Sequence, residues 1–250
     1  MILLKSSREI ETMRLAGRLA DRARRLAGEM VAPGVTTAEI DREVQRLIEA
    51  EGAVPAFLGY RGYPKSVCIS VNEEVIHGIP GKREIRASDL VSVDVGVLHS
   101  GFYGDCAATF WAGVVTEEAQ RLAEVARESF FAGFACCKEG YRISDVSHAI
   151  QAYAEQHGFS VVRDFVGHGI GRSLHESPEV PNYGEPGRGV RLRAGMTLAI
   201  EPMINAGGYA VRVLADDWTV VTADGSLSAH YENTVLITDG EPEILTASNH

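Results

Sequence analysis

Residues 90–97 read Leu90-Val91-Ser92-Val93-Asp94-Val95-Gly96-Val97. Valine takes every odd position, and Ser92, Asp94 and Gly96 take the later even ones. Successive side chains of a strand point to opposite faces, so the octet is a strand with one apolar face and one face bearing a carboxylate. Strands disfavour Asp, and a carboxylate on a covered face is costly unless it meets a cation. An exposed sheet face is the ordinary explanation of one such residue, but the same anomaly recurs along the chain. Asp105 lies in GFYGDCAATF on the face shared with Ala107 and Thr109. Glu201 interrupts the apolar run 196–204, and Glu232 precedes Asn233-Thr234-Val235-Leu236-Ile237.

The segments around these strands follow a repeated order. Ser6-Ser7-Arg8-Glu9 is a capping box, followed by Ile10, Met13, Ala16, Ala20, Ala23 and Ala27 on one helical face, and Pro33-Gly34 breaks the helix. Thr36-Thr37-Ala38-Glu39 is a second capping box, with Ile40, Val44, Leu47 and Ile48 behind it and Gly52 as the stop. Thr116-Glu117-Glu118 opens a third helix that runs toward Cys137 and Gly140. Ser144 is read as the cap of a fourth, which carries Val146, Ile150 and Tyr153 and ends at Gly158. Gly34 and Gly140 are 106 residues apart, as are Gly52 and Gly158, and Asp94 and Glu201 are 107 apart.

This pattern predicts one catalytic domain, 1–250, built from two related halves, about 1–112 and 113–250. Each half is a helix pair followed by strands, with strands expected over 102–111, 196–204 and 230–237 and a turn at Asp224-Gly225. Few runs are long and continuously apolar, so the expected class is α+β, a mostly antiparallel sheet with helices on one face. Packing the halves about a pseudo-two-fold axis brings Asp94 and Glu201 to the centre. Four carboxylates alone repel one another, and two divalent cations cancel that repulsion. Carboxylates with one imidazole fit a dinuclear Mn, Co, Fe or Zn site.

The imidazole is sought in GHGIGRSLHESP, residues 167–178, where His168 and His175 are seven apart. Seven residues span about 10 Å of helix, and in a strand an odd offset sends side chains to opposite faces. One metal takes both only if the segment bends. The glycines do not match a dinucleotide loop, and Pro178 follows too soon for a long helix. Division of labour is the better reading: His168, between glycines that allow close approach, is the metal candidate, and His175 faces substrate.

Bulk properties set the limits. The formal net charge of −10 argues against nucleic acid or an anionic membrane as the main partner. The N-terminal apolar run is too short for a signal segment or a membrane span. The cysteines Cys68, Cys106, Cys136 and Cys137 form no CxxC pair, so reduced thiols in the cytoplasm are expected and a thiolate zinc site is not.

The chain resembles the type I methionine aminopeptidases, metallopeptidases of pita-bread fold. The resemblance is carried by YPKSVCISVNEEVIHGIP, VDVGVLHSGFYGDCAATF, GHGIGRSLHESP, AIEPMI and SLSAHYENT, and it covers nearly the whole length. It implies a pita-bread fold with helices on the outer face and a metal site at the centre. It implies Asp94, Asp105, His168, Glu201 and Glu232 as ligands of two divalent ions, with Asp105 and Glu232 bridging. His77 and His175 are implied at the substrate, and Phe57, Tyr60, Tyr63, Cys68, Leu174 and Trp218 as the wall of the methionine pocket. Asn72 and Ser228 match positions that hold a monovalent cation through backbone carbonyls. Phe57, Leu174, His230 and Asn233 depart from the commonest family residues.

The implied reaction is removal of an N-terminal methionine from nascent proteins and peptides, by attack of a metal-bridging water or hydroxide on the first peptide bond. Glu201 is read as general base, His175 as oxyanion stabiliser and His77 as partner of the peptide or leaving amine. The expected partners are chains with a free N-terminal Met. A monomer is expected, with no nucleic-acid specificity and no membrane. The basic run Arg22-Ala23-Arg24-Arg25 reads as a solvated helix face, the alternative being a transient ribosome contact. The rival functions are an X-Pro aminopeptidase or another amidohydrolase of this fold, and a non-catalytic binding protein on the same scaffold.

Overall fold

Helix α1, Ser7–Met30, begins where the sequence places it: the Ser6 backbone N–H and hydroxyl both donate to the Glu9 carboxylate, closing the capping box. In this computed structural model, which describes residues 2–247, helix α2 is Thr37–Ala50 and is capped the same way by Thr36 and Glu39. The strands of this half are β1 (Val54–Pro55), β2 (Cys68–Val71), β3 (Glu74–Ile76), β4 (Leu90–His99) and β5 (Phe102–Trp111). The second half repeats the order with α3 (Glu117–Phe134), α4 (Ile143–Gln156), β6 (Ser160–Val161), β7 (Gly167–Gly169), β8 (Glu176–Val180), β9 (Thr197–Ile200), β10 (Met203–Asn205), β11 (Val211–Val213), β12 (Val220–Thr222), β13 (Ser228–His230), β14 (Glu232–Leu236) and β15 (Glu243–Ile244).

The main sheet has nine strands, with β1-β4-β5-β14-β9-β7-β8 side by side and β2 and β15 attached to β4 and β14. Its pairings are antiparallel, as the alternating pattern predicts. Val91, Val93, Val95 and Val97 pack with Ala20, Ala23, Ala27, Ile40, Val44 and Ile48 of the first helix pair. Leu198, Ile200 and Val235 pack with Leu122, Phe130, Val146 and Ile150 of the second. One face of the sheet is therefore buried under four helices, and the even-numbered side chains of β4 are left for the other face. This is the α+β arrangement that the sequence predicts, with the helices on the outer face.

Three expectations need correction. The run 196–204 is not one strand but β9 and β10, which lie in different sheets. Pro202 has no N–H to continue a ladder, so the chain leaves the large sheet at Glu201. The run 230–237 likewise divides at Tyr231 into β13 and β14. Helix α4 starts at Ile143, with Arg142 as cap; the Arg142 N–H donates to Asp145 at 2.7 Å, while the Ser144 hydroxyl donates to the Arg188 carbonyl at 2.8 Å.

Candidate metal centre and substrate pocket

Register brings the carboxylates together. Asp94 on β4 is opposite Ala107 on β5, and Ala107 is opposite Glu232 on β14. Asn233 is paired with Ile200, so the same register sets Glu201, the next residue of the chain, across from Glu232. Asp94, Ala107, Glu232 and Glu201 thus form one row across four strands. Asp105 stands two residues from Ala107 on the same face, opposite Gly96. Small residues at 96 and 107 leave the space that the acidic groups converge on. The row runs β4, β5, β14, β9, so each half contributes two carboxylates and the seam between β5 and β14 lies at its middle.

His168 enters from β7, opposite Ala199. Its Nδ1 lies 2.8 Å from the Gly169 carbonyl, so Nδ1 carries the proton and Nε2 keeps a lone pair. Ligand atoms of Asp105, His168 and Glu232 all lie within 4.8 Å of one another. His168 Nε2 is 3.6 Å from Glu201 Oε1.

The electrostatics suit a cation. Burial, then the charges of Asp105 and Glu201, push the Asp94 carboxyl well above the usual range. Burial raises Asp105 to about 7 and drives Glu201 and Glu232 well upward, with their acidic neighbours adding to the effect. Asp94 Oδ1, Asp105 Oδ1 and Glu232 Oε1 are buried with no hydrogen-bond partner. Among the described residues the ion-pair partners of this cluster are His168 and His230, both next to Glu201. Burial lowers the pKa of both imidazoles to about 3, so they stay neutral at pH 7 and lend no positive charge. Oxygen-rich, unpaired and joined by one neutral imidazole, the donor set fits divalent metal ions.

A pocket opens from this cluster. It is lined by all five implied ligands and by His77, His175, Phe57, Tyr60, Tyr63, Cys68, Leu174 and Trp218. Phe57, Leu174, Tyr63 and Cys68 are buried in one apolar cluster, with Tyr60 and Trp218 packed against it. Phe57 fits because residue 96 has no side chain: a Cβ there would meet Phe57 Cε1 at 2.5 Å. The Tyr63 hydroxyl shares its one hydrogen between the Val67 carbonyl at 3.1 Å and the Gly78 carbonyl at 2.9 Å, which makes it part of the wall as well as of the lining. Burial keeps the Cys68 thiol far above its usual pKa, consistent with packing and not with a nucleophile.

His168 and His175 both reach this pocket, their ring centroids 4.1 Å apart, yet they have different partners. His175 Nδ1 is 2.9 Å from the Tyr60 hydroxyl. His77 stands edge-on to Phe165 and Trp218, has a left-handed backbone with φ 61°, and is lowered to about 4 by burial. A non-glycine residue held in this region costs free energy and is concentrated at functional sites. Asn72 and Ser228 are neighbours, the Ser228 N–H donating to the Asn72 carbonyl at 2.9 Å.

Three residues of the site escape sequence reasoning. Arg61, with φ 50°, lines the pocket and helps lower the His175 pKa after burial. Phe165 backs His77, and the buried Asn182 donates from Nδ2 to the Glu201 carbonyl at 3.0 Å. The local sequence around each is unexceptional, and only the tertiary fold reveals them. The basic run is a solvated helix face at Arg22 and Arg25, 48% and 47% exposed, but not at Arg24. Arg22 pairs with Glu51, whereas Arg24 and Arg25 both pair with Asp21, and Arg24 is only 11% exposed. Position 24 falls four after Ala20 and three before Ala27, on the buried stripe, which is the signal the run conceals.

Fold and site together define a metallopeptidase: the chain belongs to the metallopeptidase family M24, whose pattern matches residues 11–239. Over 246 residues it is 55% identical to a methionine aminopeptidase of Clostridium perfringens, covering 98% of this chain and 99% of the relative. The crystal structure of a methionine aminopeptidase from Thermotoga maritima superposes with a TM-score of 0.98 at 47% identity, covering 99% of this chain and all of that one. A prolidase from Pyrococcus horikoshii shares the fold, with a TM-score of 0.79 at 24% identity, this chain spanning 65% of its length. Among the described residues no helix is long and apolar enough to cross a membrane.

Proposed function

We infer that the protein is a metal-dependent methionyl aminopeptidase that removes the initiator methionine from nascent chains and peptides. The observation that carries this reading is one pocket whose floor is a cluster of unpaired carboxylates and whose wall is apolar, aromatic and sulfur-bearing. A methionine side chain is long, unbranched and soft, and suits such a slot. The chain acts as one catalytic unit whose halves, about 1–112 and 113–250, supply two carboxylates each.

Asp94, Asp105, His168, Glu201 and Glu232 would hold two divalent ions, Mn, Fe, Co or Zn, with Asp105 and Glu232 at the seam as the shared ligands. Bound ions supply Lewis acidity for the peptide carbonyl and acidify water near neutral pH. Glu201 is the proton acceptor. His175, oriented through Nδ1 by Tyr60, presents Nε2 to the carbonyl oxygen of the first peptide bond. His77, neutral through burial, hydrogen-bonds the peptide or the leaving amine. Phe57, Leu174, Cys68, Tyr63 and Trp218 enclose the side chain and exclude water from it. A monovalent cation at the backbone of Asn72 and Ser228 belongs to the same proposal, as do chains emerging from a transiently contacted ribosome in the cytoplasm, served by a monomer.

The test is activity on Met-Ala-Ser and Ala-Pro-Ala after reconstitution of stripped protein with each of Mn, Fe, Co and Zn. Cleavage of Met-Ala-Ser alone, abolished by chelator, is expected. Preference for Ala-Pro-Ala would replace the methionine reading by the X-Pro one, and full activity in excess chelator would end the metal reading.

A further inference from the structure

We propose that Arg24 is a positioning residue for the metal centre, a buried guanidinium that fixes the spacing of the two seam carboxylates from behind the sheet. The inference rests on the metal-site reading above.

The seam between the halves is short. The β5–β14 ladder pairs only Glu232 with Ala107 and Asn233 with Cys106. Beyond that a side chain replaces the ladder: the Thr234 hydroxyl accepts from the Asp105 N–H at 3.0 Å and donates to the Asp105 carbonyl at 2.9 Å. On the other side the Thr109 hydroxyl accepts from the His230 N–H and donates to the His230 carbonyl, both at 2.9 Å, so the direct ties are two backbone pairs and two hydroxyls, none of which joins the seam to the helix layer.

Arg24 reaches this seam from α1 on the helix-covered face. Its Nη1 lies 3.4 Å from the Ala107 carbonyl on β5, 3.3 Å from the Glu232 carbonyl and 3.2 Å from Asn233 Oδ1 on β14. Its Nη2 donates to Asp21 at 2.7 Å, and its Cζ stands 5.9 Å from the Tyr231 ring centroid. The guanidinium therefore touches three consecutive residues around Glu232 and the residue two after Asp105. All three seam acceptors are met by Nη1 while Nη2 is held by Asp21, so one rigid planar group ties both strands to α1 at once. Asp21, 6% exposed, balances the buried charge on the same helix.

Asn233 completes the arrangement. It faces away from the carboxylates, and its Oδ1 accepts from Arg24 and from the Thr246 hydroxyl at 2.9 Å. An amide oxygen at 233 gives the guanidinium an acceptor on the helix side.

The experiment compares wild type with Arg24→Leu and Arg24→Lys, each loaded with cobalt. Its readouts are metal stoichiometry, the visible absorption of the bound cobalt, thermal midpoint, and kcat and KM on Met-Ala-Ser. A small misplacement of reacting groups costs up to about 100-fold in rate, so kcat is expected to fall about 10- to 100-fold in Arg24→Leu with KM within about twofold. The cobalt spectrum should shift in both variants, since lysine keeps the charge and the Asp21 pair but loses the rigid planar group. A lowered midpoint with wild-type spectrum and kcat would make Arg24 a purely structural residue and overturn the proposal. Should Arg24→Leu fail to fold, Arg24→Lys decides by the same two readouts, and a wild-type spectrum and kcat overturn the proposal. Wild-type protein that binds no cobalt would instead defeat the metal-site reading itself.

Discussion

The hydroxyl of Tyr60 lies 2.9 Å from Nδ1 of His175, and the two rings stack with centroids 5.3 Å apart and planes 15° from parallel. The contact engages one ring nitrogen and turns the other to the pocket. Tyr60→Phe keeps the stack and removes the hydrogen bond. A net hydrogen bond is worth about 0.5–1.5 kcal/mol, so kcat should fall about two- to tenfold. KM and metal content should not change. Steady-state kinetics on Met-Ala-Ser with metal analysis checks this, and an unaltered kcat would mean the hydroxyl does not orient the ring.

His175→Ala removes the proposed oxyanion donor itself. Loss of one such group at a developing oxyanion costs about 10²–10³ in kcat. Metal stoichiometry should stay at the wild-type value, because the proposed ligand set is complete without His175, whose Nδ1 is engaged by the Tyr60 hydroxyl. Coordinated loss of metal would make His175 a ligand and refute the division of labour between the two histidines.

Glu201→Gln keeps shape and removes a negative charge beside His168 and His230. Base catalysis alone contributes about 10²–10⁴-fold, so turnover should fall at least that far. Metal affinity should weaken as well, read by calorimetric titration. Activity near wild type would remove Glu201 from the proton-acceptor role.

Much of this site was legible because its chemistry violates strand preferences. Asp94 among valines, with Asp105, Glu201 and Glu232, could be read as one cluster before any coordinates. The capping boxes at Ser6 and Thr36 were legible because they are local hydrogen-bond patterns. The break at Glu201-Pro202 was not read, since β-prone residues continue on both sides and hide the change of sheet. Arg24 was hidden by charge: a basic run suggests solvent, whereas the helical period puts that one position against the sheet. Arg61, Phe165 and Asn182 owe their places to long-range packing, which no local pattern encodes.

Stability of the metal-free protein should fall as pH rises. The carboxyls of Asp94, Glu201 and Glu232 lie well above their ordinary values through burial and mutual repulsion, and Asp105 at about 7. Unfolded carboxyls titrate near about 4, so between these values the folded state binds more protons than the unfolded one. The contribution is complete below about pH 4 and is lost as pH rises through 7. The buried imidazoles of His77, His168 and His230, lowered to about 3–4, act the other way below pH 7, so the fall is read above it: the melting midpoint of stripped protein should drop from pH 7 to pH 9. Added Mn should raise it more at pH 9 than at pH 7. A midpoint flat across that range would show that the cluster is not destabilising when empty.

The loop that carries Leu174 and His175 is held by a buried ion pair from the N-terminal segment. Glu176 Oε1 accepts from the backbone N–H of Arg172 at 2.8 Å and of Ser173 at 3.2 Å. Its other oxygen meets Lys5 Nζ at 2.5 Å, with the two side chains 5% and 12% exposed. Lys5→Met strands the carboxylate, and breaking a buried pair on one side costs about 3–5 kcal/mol. At about 2–4 °C per kcal/mol for a chain of this size, the midpoint should fall by about 6–20 °C. Because the loop carries His175, kcat should fall with it while metal still binds. The double variant Lys5→Met/Glu176→Gln removes the stranded charge and should recover part of the midpoint. If the double variant is no more stable than Lys5→Met, the penalty comes from lost packing of the lysine stem and not from an unpaired carboxylate.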